Sequence, residues 1–149
     1  MQKKAILLFS GGQDSTTLLG WCLKKFDSIE LLSFDYGQKH IIELKSAKKI
    51  INEIEKNFKP FKNKIKNHLI IDIKNLANIT KSALTSDIKI DMTTSIPNTF
   101  VPGRNLLFYN LAASYAYTKK INDIVSGVCQ TDYSGYPDCR DSTIKSLNK

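Results

Sequence analysis

Residues Ala5–Phe9 read Ala-Ile-Leu-Leu-Phe, and Ser10-Gly11-Gly12-Gln13-Asp14-Ser15 follows at once. Five consecutive apolar residues have no polar face to show to water. Such a run suits a strand covered on both sides, as in a parallel sheet. A glycine turn after it breaks the strand. Asp14 or Ser15 can then cap a helix whose Leu18, Leu19, Cys22 and Leu23 recur at helical spacing. Strand, glycine turn and helix together form one half of a strand–helix–strand unit, which commits the chain to a layered α/β fold.

The rest of the sequence repeats the alternation. Ile29–Asp35 predicts a second strand. Residues 39–57 predict an amphipathic helix with Ile42, Leu44, Ala47, Ile50, Ile51 and Ile54 inward. A Lys/Asn-rich connector at 58–67 carries Pro60, and its stretch at 56–67 reads as a surface insertion. His68–Ile73 predicts a third strand. Residues 80–102 predict a long functional loop or lid. Asn105–Thr118 has no Gly or Pro and predicts a buried helix, and Asp123–Gly127 a fourth strand. A turn-rich tail follows, then the first turns of another helix. The fold expected is a doubly wound, mainly parallel sheet with helices on both faces, in a single domain over 1–149.

Composition excludes several classes. No apolar run nears the ~20 residues of a membrane helix, and Ala5–Phe9 is too short for a signal peptide's apolar core. Cys22, Cys129 and Cys139 are too few and wrongly spaced for a disulfide scaffold or a zinc knuckle. The expectation is a reduced, cytoplasmic protein without a membrane partner. The net charge of +8 comes mostly from residues 39–89, with twelve lysines against five acids. Those lysines alternate with Ile and Asn, without aromatic platforms, which predicts a solvated face and no nucleic-acid partner. Against this lysine background Arg104 and Arg140 are the only arginines. A planar, fixed guanidinium is what arginine offers and lysine does not.

The turn at 10–15 lies where free backbone N–H groups and the positive end of a helix dipole gather an anion. It has neither the lysine of a kinase-type phosphate loop nor the GxGxxG of a dinucleotide loop. Ser-Gly-Gly-Gln-Asp-Ser resembles the SGGxDS signature of the ATP-pyrophosphatase (PP-loop) superfamily. Phe34-Asp35-Tyr36-Gly37-Gln38-Lys39-His40, Ser82–Asp87, Pro102-Gly103-Arg104-Asn105 and the stretch Gly127–Asp141 narrow it further. Together they resemble the 7-cyano-7-deazaguanine synthase family of queuosine biosynthesis.

The resemblance implies a ligase-type enzyme. ATP activates 7-carboxy-7-deazaguanine as an acyl-adenylate, ammonia gives the amide, and a second activation dehydrates it to the nitrile, preQ0. Another PP-loop pyrophosphatase, or a nucleotide-binding fragment without activity, are the alternatives. The resemblance implies that Phe9, Ser10, Gly11, Gly12, Gln13, Asp14, Ser15 and Thr16 hold ATP, with Asp14 on Mg²⁺ through the pyrophosphate. Asp14, Arg104 and Asp132 are the implied catalytic residues. Tyr36, Gln38, Arg104, Asn105, Asp132, Tyr133, Asp138 and Arg140 are the implied substrate contacts. Read from the residues alone, Arg104 binds phosphate or carboxylate or makes a surface ion pair. Asp138 and Arg140 form a second polar set or an ion pair pinning the loop. His40 is a proton shuttle or a helix-start residue, His68 is structural, and Trp21 is core or interface. Family members continue several dozen residues further, with four cysteines on a structural Zn²⁺, and pair as homodimers. On that resemblance the sequence is C-terminally incomplete and holds no zinc ligands.

Overall fold

Five-residue β1 (Lys4–Leu8) is buried along its middle, Ala5, Ile6 and Leu7 being fully covered. The computed structural model describes residues 2–37, 42–80, 82, 98–129 and 136–148. Gln38, His40, most of the expected lid at 80–102, and Asp132 and Tyr133 lie outside the described residues.

Beyond β1 come α1 (Gln13–Lys25), β2 (Ser28–Asp35), α2 (Ile42–Asn57) and β3 (Ile65–Asp72). Then follow α3 (Asn75–Ile79), α4 (Arg104–Lys119), β4 (Asp123–Val125) and α5 (Asp141–Leu147). The sheet order is β3-β2-β1-β4, and each neighbouring pair is parallel. The chain winds outward from β1 to β3, then crosses to the other side of β1 for β4.

Alternation along the strands divides the core between the two faces. Ala5, Leu7, Phe9, Ile29 and Leu31 pack with Leu19, Cys22 and Leu23 of α1 and Ala47 of α2. Ile6, Leu32 and Phe34 pack with Ala112 and Ala116 of α4. The fold is therefore the doubly wound parallel α/β sheet that the sequence predicts. Its switch point, where the winding reverses, lies between β1 and β4. Open α/β sheets bind ligands at the carboxyl ends there.

Several local expectations change. The third strand starts at Ile65, three residues early, because Ile29 on β2 pairs with Ile65 and its amide bonds Lys64 O at 2.9 Å. The insertion at 56–67 thereby shrinks to a short link with a 3-10 turn at Lys59–Phe61. Helix α4 is only half buried: Ala112 and Ala116 face the sheet, while Tyr117 is 87% exposed. Ile42 is 67% exposed at the start of α2, off the face that buries Leu44 and Ala47. Trp21 is 46% exposed, edge-on to Phe26, with the Lys25 ammonium 4.4 Å from its ring centre.

Candidate active site

Helix α1 begins at Gln13, two residues earlier than a cap at Asp14 would require and three earlier than a cap at Ser15 would. Gly12 is its N-cap, with no side-chain cap bond. Ser15 therefore sits inside the first turn and its hydroxyl folds back on the loop. Ser15 Oγ accepts from the Gly11 amide at 3.1 Å and donates to Gly12 O at 3.1 Å. Ser10 Oγ lies 3.1 Å from Ser15 Oγ and accepts from the Gly12 amide at 3.2 Å. Thr16 donates both its amide and its hydroxyl to Gly12 O, at 3.0 and 2.8 Å. The loop is thus held by its own hydroxyls. The amides of Gln13, Asp14 and Ser15 find no acceptor among the described residues, as the first turn of a helix dictates.

Gly11 has φ +86°, and a Cβ there would lie 2.4 Å from Glu43 O and 2.6 Å from Ala47 N. The loop is therefore clamped against the first turns of α2. A cavity of about 530 Å³ opens beside it, lined by Gly12, Thr16 and Thr17 on one side and Ser46, Lys49 and Ile50 on the other. Asp14 is exposed and faces the end of β4, its Cβ 4.0 Å from where a Gly127 Cβ would stand. Glu43 Oε1 lies 3.6 Å from the Cβ position of Gly12. Two exposed carboxylates around free amides suit a Mg²⁺ that travels with phosphate oxygens, since that ion is commonly held by one or two carboxylates plus phosphates. Among the described residues no group of three or more His, Cys, Asp or Glu is placed to hold a metal. Cys22 is buried, which pushes its thiol up to about 11, and Cys139 Sγ accepts from Asn105 Nδ2 at 3.2 Å.

A second group gathers at the start of α4. Gly103 turns the chain with φ +73° and Arg104 opens the helix. The Arg104 guanidinium carbon lies 5.4, 5.8 and 6.0 Å from the ring centres of Tyr36, Tyr136 and Phe108. Nη1 donates to Tyr36 Oη at 3.3 Å. Among the described residues its buried Nε has no partner and no carboxylate pairs with the guanidinium. Burial raises the Tyr36 phenol's pKa, against the opposing pull of Arg104, so the phenol stays neutral. Phe108 is stacked on Phe34 at 4.1 Å, and Tyr136 Oη lies 2.7 Å from Thr99 Oγ1. The cage thus joins β2, α4 and the tail.

Asp138 is buried and accepts from the Asn105 amide at 3.1 Å, so it anchors the tail on the α4 N-terminus. That bond occupies it in place of an ion pair with Arg140, whose side chain is exposed and has no partner among the described residues. Of the expected site residues, the structure brings together Phe9–Thr16 as one group, and Tyr36 with Arg104 and Asn105 with Asp138 as another. Phe108 and Tyr136 completed the cage without a sequence signal, because aromatic residues in a helix and a turn look like ordinary packing. Ser33 carried a signal: it is the one hydroxyl in the interior of Ile-Glu-Leu-Leu-Ser-Phe.

The family model described as queuosine biosynthesis protein QueC matches residues 4–149. The chain belongs to that family. A QueC relative named 7-cyano-7-deazaguanine synthase, from Bordetella pertussis, is 48% identical over 146 residues. The match spans 97% of this chain and 60% of that protein. Another of the same name, from Rhodopseudomonas palustris, is 49% identical over 144 residues, 96% of this chain and 60% of that protein. The chain thus spans about three fifths of the length of these relatives. Among solved structures, the NH3-dependent NAD synthetase from Campylobacter jejuni aligns with a TM-score of 0.55 at 14% identity. It covers 87% of this chain and 49% of its own, a likeness of fold alone. Among the described residues no helix is long and apolar enough to cross a membrane.

Proposed function

We propose that this QueC-family chain carries the ATP-binding part of a 7-cyano-7-deazaguanine synthase in the cytoplasm. It would convert 7-carboxy-7-deazaguanine and ammonia to preQ0 through an acyl-adenylate and an amide. The observation that supports this best is the glycine loop at the β1 carboxyl end. It offers the amides of Gln13, Asp14 and Ser15, which have no acceptor among the described residues, beside the switch point.

Cleaving ATP between its α- and β-phosphates makes pyrophosphate the leaving group. Negative charge grows on it as the bond breaks, and the three amides with the α1 dipole stabilise that charge. Charge neutralisation on the phosphates is the chemistry Mg²⁺ supplies there, and Asp14 is the residue that would hold it. Arg104 lacks a carboxylate among its described neighbours, so its charge is available to an anion: the substrate carboxylate or its adenylate. Three aromatic rings surround the guanidinium. Tyr36, Asn105, Asp138 and Arg140 are the remaining proposed substrate-side residues, with Gln38, Asp132 and Tyr133, and Phe9–Thr16 the proposed ATP-side ones. A homodimer, as the resemblance implies, is part of this proposal.

The test is release of AMP and pyrophosphate. It is expected to require 7-carboxy-7-deazaguanine and ammonia together, and Asp14→Asn should abolish it without lowering the melting temperature by more than a few degrees. ATP turnover indifferent to the deazaguanine would point to another PP-loop reaction and overturn this reading.

A further inference from the structure

The sheet ladder runs one residue past β1, where the Phe9 amide bonds Leu32 O at 2.7 Å. At that residue a side chain takes over. The Phe9 carbonyl accepts from the hydroxyl of Ser33 on β2, and Ser33 Oγ lies 2.7 Å from Nε2 of His68 on β3. Counting protons fixes the direction. A hydroxyl has one proton and a carbonyl only accepts. Ser33 gives its proton to Phe9, so the proton between His68 and Ser33 belongs to Nε2. His68 is therefore the Nε2–H tautomer.

The surroundings keep it so. Ser33 and Phe9 are each 1% exposed, so water has no access to stand in for either partner. The imidazole packs edge-on to the Phe9 ring with centres 6.2 Å apart. Burial, and then the charge of Lys48, lower the His68 pKa and favour the neutral ring. Three adjacent strands thus contribute one group each, and the chain of hydrogen bonds ends on the residue before Ser10. The Phe9 carbonyl is where the backbone leaves the sheet to form the loop.

We propose that His68 and Ser33 are positioning residues for the glycine loop. The relay His68 Nε2–H to Ser33 Oγ–H to Phe9 O sets the direction in which the chain leaves β1, and with it the direction of the amides that follow. The benefit to a bound pyrophosphate rests on the proposed function. The relay itself does not, and it is read in the ligand-free chain.

Amide hydrogen exchange followed by NMR tests it. The Gly11 and Gly12 amides, which donate to Ser15 and Ser10, should exchange about tenfold faster in Ser33→Ala, the loss of one buried hydrogen bond. Ile6 and Leu7 in mid-strand should stay slow. His68→Leu, on the edge strand, should reproduce the effect should Ser33→Ala fold poorly, whereas His68→Gln, which keeps an N–H at similar reach, should restore slow loop exchange. Nitrogen shifts of the wild type should report Nε2–H. Loop exchange unchanged in His68→Leu, no rescue by His68→Gln, or a Nδ1–H tautomer would each overturn the proposal. None of these readouts needs ATP turnover, so an inactive wild type would count against the enzyme reading and leave the relay decidable.

Discussion

A methyl group on Gly11 has no room. It would meet backbone atoms of α2 at 2.4 and 2.6 Å, on a residue whose φ is already +86°. Left-handed backbone costs an ordinary residue about 1–2 kcal/mol, and overpacking against rigid backbone adds about 1–3. Gly11→Ala should therefore lower stability by about 2–5 kcal/mol in thermal or urea denaturation. Gly20→Ala, inside α1 with nothing within 4 Å of the added carbon, should raise it by about 0.5–1 kcal/mol. If both changes cost the same, the clamp between loop and α2 is not as described. The pair also marks what one sequence can tell at this scale. The glycines of Ser-Gly-Gly suggest close approach to a phosphate, but the approach seen at Gly11 is to Glu43 and Ala47, far along the chain. Arg104 stood out in the sequence only as an arginine among lysines. Its cage was invisible because the rings come from positions 36, 108 and 136.

Elements were legible wherever apolar periodicity ran unbroken, and obscure where lysines crowd the connector. Lys64 shows why. It looks like one more solvated lysine between α2 and β3, yet its Nζ donates to Leu23 O at 2.8 Å and Phe26 O at 3.0 Å. Those carbonyls belong to the end of α1, where the helix dipole is negative and the last C=O groups lack intrahelical donors. The same residue precedes β3 and accepts from Ile29, so one lysine ties a helix end to a strand start. Lys64→Met keeps the stem and removes the donor. It should cost about 1–3 kcal/mol, two charge-assisted hydrogen bonds at a half-buried site. Lys62→Met, on an exposed neighbour, should stay within about 0.5 kcal/mol of wild type. Equal effects in urea denaturation would reduce Lys64 to one more surface charge.

At the scale of the molecule, strand–helix alternation was enough to predict the doubly wound sheet. The order β3-β2-β1-β4 adds what alternation alone leaves open, a reversal beside β1, the strand that leads into the loop. The same parallel register carries the relay across three strands, and it gives the whole fold a dependence on pH. His68 is held below its ordinary value of 6.5, by burial first and then by Lys48. An unfolded chain protonates its histidines near 6.5, so below that pH the unfolded chain binds a proton that folded His68 still declines. Stability therefore falls as pH drops through about 6.5 toward the folded-state value, by at most about 1.4 kcal/mol per pH unit for one proton. Asp72 acts elsewhere: its hydrogen bonds with Lys74 lower its pKa from 3.8, so its contribution is lost only at stronger acidity. The net charge of +8 also grows on acidification and opposes the compact state, but it does so whether or not His68 is present. Urea denaturation of wild type and His68→Gln at pH 7.5 and 5.5 separates the two. The wild type should lose more stability between those values than the variant. Equal losses would assign the acid sensitivity to net charge alone.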